Sequence, residues 1–425
     1  MTREGVRALI LAEAANPEWV SVPLVGWSLA SALREQTNAH IVTQIRNRDA
    51  FLRAGLIEGE DFTAIDTEAV ASPAWKLTQA LRLGQGVGWT IVTAINSLTY
   101  PRFEKKVWQV FGDRVKAGEF DVVHRVTPLS PTAVSHIAKK VEEAGVPFVV
   151  GPLNGGIPWP PGFAEVQKQE REWLSSIRWI YRLQPGRRTY LANTAHFFAG
   201  SRYTQSELPE PHRSRSTYIP ENAIDPDRFT QRVSDDGSGP LKISFIGRMV
   251  PYKGPDVLLE AAEPYLRDGR LALHYIGDGP LLENLKARAQ DSGTEDHVTF
   301  HGWMEHRQVQ DIASSCPVMA LPSIREFGGG VVLEAMALGA VPIVADYGGP
   351  GELVDDTVGF KIPVKDRPQL VSDLRTCLGE VLSQRDTLAE MGQRGRMRVE
   401  EQFTWAAKAA QMVAIYKSLA KRQAS

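Results

Sequence analysis

Short apolar runs, each followed by a longer stretch with helical spacing, recur along this chain and begin afresh near its middle. A run too short for a helix reads as a strand, and a repeated strand-then-helix pattern builds a parallel sheet covered by helices on both faces. Candidate strands in the first half are residues 6–11, 40–43, 121–124, 146–150 and 196–199; in the second half they are 241–246, 271–276, 297–300, 318–321 and 341–345. At 425 residues the chain exceeds the size at which one hydrophobic core normally stops growing, so an α/β protein of two doubly wound, Rossmann-like domains is expected. The stretch 206–239, rich in Pro, Ser, Asp and Arg and weakly periodic, reads as the connection between them. Near the C-terminus, Trp405, Ala409, Met412, Tyr416 and Leu419 fall on one apolar stripe of a helix that needs a surface to pack on.

Composition removes several functional classes. Lys and Arg number 48 against 50 Asp and Glu, so the net charge of -2 leaves no global footprint for nucleic acid. The two cysteines, Cys316 and Cys377, lack CxxC spacing, which argues against a disulfide framework or a zinc site and fits a reducing, cytoplasmic compartment. Charges at Arg3, Glu4 and Arg7 precede an apolar run too brief for a signal peptide, so that run is expected to be the first strand. A membrane span needs roughly 18 to 20 uninterrupted apolar residues. The best candidate, residues 87–100, is broken by Thr90, Thr93, Asn96 and Ser97, so no span is expected.

The sharpest chemistry lies in the second half. In Phe245-Ile-Gly-Arg-Met-Val-Pro-Tyr-Lys-Gly254 an apolar strand runs into a turn holding Arg248 and Lys253, at the carboxyl end of a strand, where open α/β sheets bind ligands. Arg248 offers a rigid fork and Lys253 a mobile point charge, a pair suited to a departing diphosphate. Two solvated loop cations are the bland alternative. Further on, a strand leads through Glu326-Phe-Gly-Gly-Gly330 into a helix carrying Glu334. Gly328, Gly329 and Gly330 allow a ligand close to the backbone, with the helix N-terminus facing it. The two carboxylates are placed to reach opposite ends of an extended ligand, although Glu334 alone would read as an ordinary helix-surface residue.

Taken in order, Gly247-Arg248…Lys253-Gly254, Ile276-Gly277-Asp278-Gly279-Pro280, His301-Gly302, Pro322-Ser323…Glu326…Glu334-Ala-Met-Ala…Gly339 and Gly348-Gly349…Glu352-Leu353 resemble the family 4 retaining glycosyltransferases across about 120 residues. The resemblance implies the GT-B fold, two Rossmann-like domains facing across a cleft. Residues 1–215 would bind the acceptor, residues 216–404 the nucleotide sugar, and a helix over 405–425 would cross back to the first domain. It also implies an enzyme moving a sugar from a nucleotide-diphosphate donor to an acceptor hydroxyl in glycan, glycolipid or polysaccharide synthesis, without metal or other cofactor. Arg248 and Lys253 would collect charge on the leaving diphosphate, Glu326 would orient the sugar, and Glu334 would hold the ribose hydroxyls. Gly247, Gly277, Gly302 and Ser323 would complete the donor site with the three loop glycines. The usual Glu-Gly-Phe-Gly of the family is here Glu326-Phe327-Gly328-Gly329-Gly330, so the loop path is expected to differ.

The first half is less explicit. His124 ends a candidate strand where relatives carry His-x-His, and is expected to hydrogen-bond the transferred sugar, although Val126 replaces the second histidine. Asn16 and Trp27, after the first strand, and Asn154-Gly155-Gly156 are candidate acceptor contacts. The acceptor class is a sugar, a lipid-linked group or a small molecule. Trp173, Ile177, Trp179, Ile180 and Tyr181 interleave with Arg171, Arg178, Arg182, Arg187 and Arg188, a pattern that suits either a peripheral membrane contact or a partly buried helix with a basic face. Asp225-Pro-Asp227 mimics a metal-binding pair, but sits in a segment resembling the family's interdomain connection, so no metal is expected. Gly84-x-Gly86-x-Gly88 lacks dinucleotide spacing. A degenerate nucleotide-sugar binder without activity is the alternative.

Overall fold

In the computed structural model, which describes residues 5–67, 89–169 and 184–424, the apolar runs of the first half pair into one sheet. Its strands are β1 (Arg7–Ala12), β2 (Asn38–Gln44), β3 (Phe62–Ile65), β4 (Val122–Thr127), β5 (Phe148–Leu153), β6 (His196–Ala199) and β7 (Ser216–Tyr218). They lie in the order β3-β2-β1-β4-β5-β6-β7, every neighbouring pair parallel. Alternation along β1 sends Leu9 and Leu11 to one face and Ala8, Ile10 and Ala12 to the other, and both sets are buried. The first face is covered by Tyr100, Phe103, Val107 and Phe111 of the helix Trp89–Lys116. The second is covered by Leu29 and Leu33 of the helix Val22–Gln36 and by Ala409, Met412 and Tyr416 of the helix Trp405–Ala424. The C-terminal stripe thus finds its surface on the first domain, where the Gln36 side chain donates to the Ala406 carbonyl at 2.7 Å.

The second sheet comprises β8 (Leu241–Ile246), β9 (Leu271–Ile276), β10 (Val298–Gly302), β11 (Val318–Leu321), β12 (Val341–Ala345) and β13 (Phe360–Ile362). Its order is β10-β9-β8-β11-β12-β13, again all parallel. One continuous apolar cluster joins the sheet to the helices Pro255–Arg267, Gly330–Leu338 and Arg367–Ser383.

The chain divides into two compact units, and the division departs from the sequence expectation in two places. The boundary falls between Glu221 and Asn222 rather than at 215, because β7 pairs with β6 and extends the first sheet. The described stretch from Ile157 through Gln169, expected in the first domain, belongs to the second unit: Phe163 is part of its core and Gly162 bridges to Asp366. Of the basic aromatic stretch, residues 171–183 lie outside the described residues, as do Gly84, Gly86 and Gly88. Arg187 and Arg188 open the helix Arg187–Ala192.

Candidate active site in the second unit

Strands β8 and β11 are neighbours at the point where the second sheet reverses its order of winding, and the loops leaving their carboxyl ends carry the candidate residues. Three strand ends are drawn together there by glycine. A Cβ on Gly277 (φ 134°) would lie 2.1 Å from the Gly247 carbonyl oxygen, and the Gly277 N–H donates to the Gly302 carbonyl at 2.8 Å. Gly247, Gly277 and Gly302 therefore meet backbone to backbone at this end of the sheet.

The loop after β8 presents two cations differently. Arg248 is exposed, and its guanidinium makes no hydrogen bond or ion pair among the described residues. Lys253 is largely covered, and its Nζ meets Glu326 Oε2 at 2.7 Å, joining the β8 and β11 loops through their charged tips. Behind that pair the loops are tied by the Tyr252 carbonyl, which accepts from the Ile324 N–H at 2.9 Å and from the Ser323 hydroxyl at 3.2 Å. This corrects the reading of Ser323 as a donor contact: its side chain is fully buried and engaged in the tie.

Beyond Glu326 the chain enters the helix Gly330–Leu338 through Gly329, its left-handed N-cap (φ 58°). A Cβ at Gly328 would stand 2.1 Å from the Asn222 side-chain nitrogen, so the displaced glycine run accommodates Asn222, a neighbour that its position in a connecting segment did not reveal. The helix is apolar on nearly every side, and Glu334 is its one charged residue. A helix buried this way has no general reason to carry a carboxylate, which weighs against the surface-residue reading of Glu334. Its Oε2 lies 3.9 Å from His306 Nε2, and the side chain is 36% exposed. Next to Gly302, His301 stacks on His274 with a 3.0 Å nitrogen contact, and burial pushes the His274 imidazole down to about 4.

A cavity of about 360 Å³ lies behind these loops, lined by Phe163, Pro251, Gly254, Leu281, Arg288 and Pro322 among others. Arg248, Lys253, Glu326 and Glu334 do not line it, so the charged cluster and the cavity are separate features. Among the described residues no three His, Cys, Asp or Glu side chains are grouped to hold a metal ion, and Asp225 caps a turn by accepting from the Asp227 N–H at 3.2 Å.

The first-unit candidates are mostly engaged internally. His124 is fully buried on β4, with Nε2 donating to the Gly151 carbonyl at 2.7 Å and Nδ1 accepting from the Tyr416 hydroxyl. Both ring nitrogens are spent, which corrects its assignment as a sugar contact. Asn16 is likewise buried: it accepts from the Glu18 N–H at 2.9 Å and points its amide at Asn47. Trp27 is half-buried and packs edge-on against Phe51 at 4.7 Å at the margin of the core. Asn16 is therefore part of the framework rather than an acceptor contact, while Trp27 keeps part of its surface exposed. Asn154 accepts from the Gly156 N–H at 2.9 Å and donates to Glu221, while the Gly155 N–H donates to the Thr204 hydroxyl at 3.0 Å. This turn after β5 is thereby held in shape.

Residues 227–398 match the family described as glycosyl transferases group 1. A D-inositol 3-phosphate glycosyltransferase from Gordonia bronchialis is 34% identical over 173 residues, covering 38% of this chain and 37% of that protein. A GDP-mannose-dependent alpha-(1-6)-phosphatidylinositol monomannoside mannosyltransferase from Mycobacterium tuberculosis is 34% identical over 178 residues, covering 39% of this chain and 45% of that protein. The alignments thus span less than half the length of these curated relatives. Among solved structures, Anabaena HepE in complex with UDP superposes with a TM-score of 0.61 at 15% identity, covering 97% of this chain and 100% of that one. Sucrose-phosphate synthase from Thermosynechococcus elongatus does so with a TM-score of 0.58 at 17% identity, covering 98% and 100%. At that identity the likeness is one of fold: two Rossmann-like domains of the GT-B type.

Proposed function

We propose that this chain, whose residues 227–398 match the group 1 glycosyl transferases, moves a sugar from a nucleotide diphosphate to an acceptor hydroxyl with retention of configuration and without a metal ion. The observation that carries this reading is the Lys253–Glu326 pair at the winding reversal, with Arg248, unpaired among the described residues, on the same loop. As the donor C1–O bond stretches, negative charge gathers on the diphosphate. Arg248 and Lys253 stabilise it, and each such preorganised donor contributes roughly 3 to 4 kcal/mol. Lys253 then exchanges part of its bond to Glu326 for the phosphate, freeing that carboxylate to hold the sugar hydroxyls. Glu334 takes the ribose hydroxyls. The acceptor hydroxyl attacks from the face the leaving group vacates, and its proton passes to the departing phosphate.

The acceptor we favour is a polyol or lipid-linked group, since the two relatives above are named for inositol phosphate and phosphatidylinositol mannoside acceptors. Asn154, Gly155 and Gly156 are the remaining first-unit candidates to meet it. The buried thiols Cys316 and Cys377 fit work in the reducing cytoplasm.

A thermal-shift panel of UDP, GDP and ADP, with and without EDTA, tests this. At a hundredfold excess over its dissociation constant, one nucleotide should add about 2.7 kcal/mol, a rise of a few degrees that EDTA leaves unchanged and that Arg248→Ala weakens. No shift with any nucleotide overturns the proposal, and a shift abolished by EDTA overturns its metal-free form. Nucleotide binding without sugar transfer, even with inositol phosphate supplied, would leave the binder alternative standing.

A further inference from the structure

The segment that leaves β5 after the turn at Asn154–Gly156 packs onto the second unit as a strap anchored at both ends. At its start, the Pro158 carbonyl accepts from the Tyr347 hydroxyl at 3.1 Å, and Ile157 sits so close to Gly348 that a Cβ there would meet it at 2.7 Å. At its far end, Gly162 bridges to Asp366 with no room for a side chain, since a Cβ would fall 2.0 Å from the Lys365 carbonyl oxygen, and Phe163 is buried in the core. Between these anchors stands Trp159. The Arg325 guanidinium lies 4.8 Å from its ring centre, and the Tyr252 ring meets it edge-on at 6.4 Å and 88°.

Arg325 immediately precedes Glu326, and Tyr252 immediately precedes Lys253. One indole therefore touches the residue before each member of the ion pair, on the two loops that the Tyr252 carbonyl also joins. We infer that Trp159 is a positioning residue that holds the Lys253–Glu326 pair in register, an inference that rests on the donor-site reading above. Its Nε1 is enclosed with no hydrogen-bond partner among the described residues, so the ring faces carry the interaction. A phenyl ring should therefore substitute for it, and a methyl group should not.

Trp159→Ala and Trp159→Phe in the full chain separate positioning from mere packing. Competitive acetylation of lysines read by mass spectrometry reports Lys253 exposure whether or not the protein is active. Nucleoside diphosphate release from UDP-glucose and GDP-mannose reports turnover. In Trp159→Ala, Lys253 should label severalfold faster relative to the other lysines. Turnover should fall roughly ten- to a hundredfold with the donor KM within about twofold. Trp159→Phe should restore both. Unchanged Lys253 labelling in Trp159→Ala, or equal loss in both variants, overturns the inference even if the melting temperature falls. If the wild type neither binds nor turns over either donor, the functional reading fails on its own, and the labelling still decides what Trp159 does.

Discussion

Burial holds the His124 imidazole at about 3, far below its ordinary 6.5, with one ring nitrogen committed to the Gly151 carbonyl and the other to Tyr416. The unfolded chain binds a proton there below pH 6.5 and the native chain does not, so stability from this group is complete above pH 6.5 and is lost as pH falls toward 3. Between pH 7 and pH 5 the loss should be about 2 kcal/mol from His124 alone. Urea midpoints across that range should fall with acid, and more shallowly in His124→Gln, which keeps a donor but does not titrate. A slope unchanged by the substitution would place the acid sensitivity elsewhere. Motif position and the family resemblance single out His124, Arg248, Lys253, Glu326 and Glu334 as candidates, but sequence is blind to partners. It could not tell that His124 spends both nitrogens internally while Lys253 and Glu326 spend their charges on each other.

Most strands of the second unit are legible in the sequence nearly residue for residue, since β11 and β12 are continuous apolar runs flanked by turns, as buried parallel strands are, and β8 and β9 are predominantly apolar, interrupted only by Lys242, Ser244 and His274. The three that escaped, β3, β7 and β13, hold four residues or fewer and lie at sheet edges, where one side is half-exposed and the apolar signal fades. The strap escaped for a different reason: its Pro-Trp-Pro-Pro-Gly composition reads as a loop, and loop composition does not reveal which domain a segment packs against. The C-terminal helix was legible because its stripe had the right period. Met412 on that stripe is fully buried. Met412→Ala should cost about 2 to 5 kcal/mol, measured by chemical denaturation, and a cost under 1 kcal/mol would mean the helix packs far more loosely than its burial implies.

At the level of the whole molecule, the described residues form two units with separate apolar cores, so unfolding need not be all-or-none. In a calorimetric scan the stabilising nucleotide should raise the transition of the unit that carries Lys253 and Glu326. Met412→Ala should lower the other. A single transition moved equally by both would mean that the units melt together. The division between them is not a simple cut in the sequence. The chain passes to the second unit after Gly156, is back in the first by residue 184, leaves again after Glu221 and returns at Trp405. During synthesis this order has a cost in time. The nascent first sheet must wait, with its second face covered only by the helix Val22–Gln36, until the helix Trp405–Ala424 emerges from the ribosome. A product released early would carry a complete second sheet beside an apolar surface open to chaperones and aggregation. Premature termination near residue 404 should therefore yield a solubility failure before it yields a catalytic one.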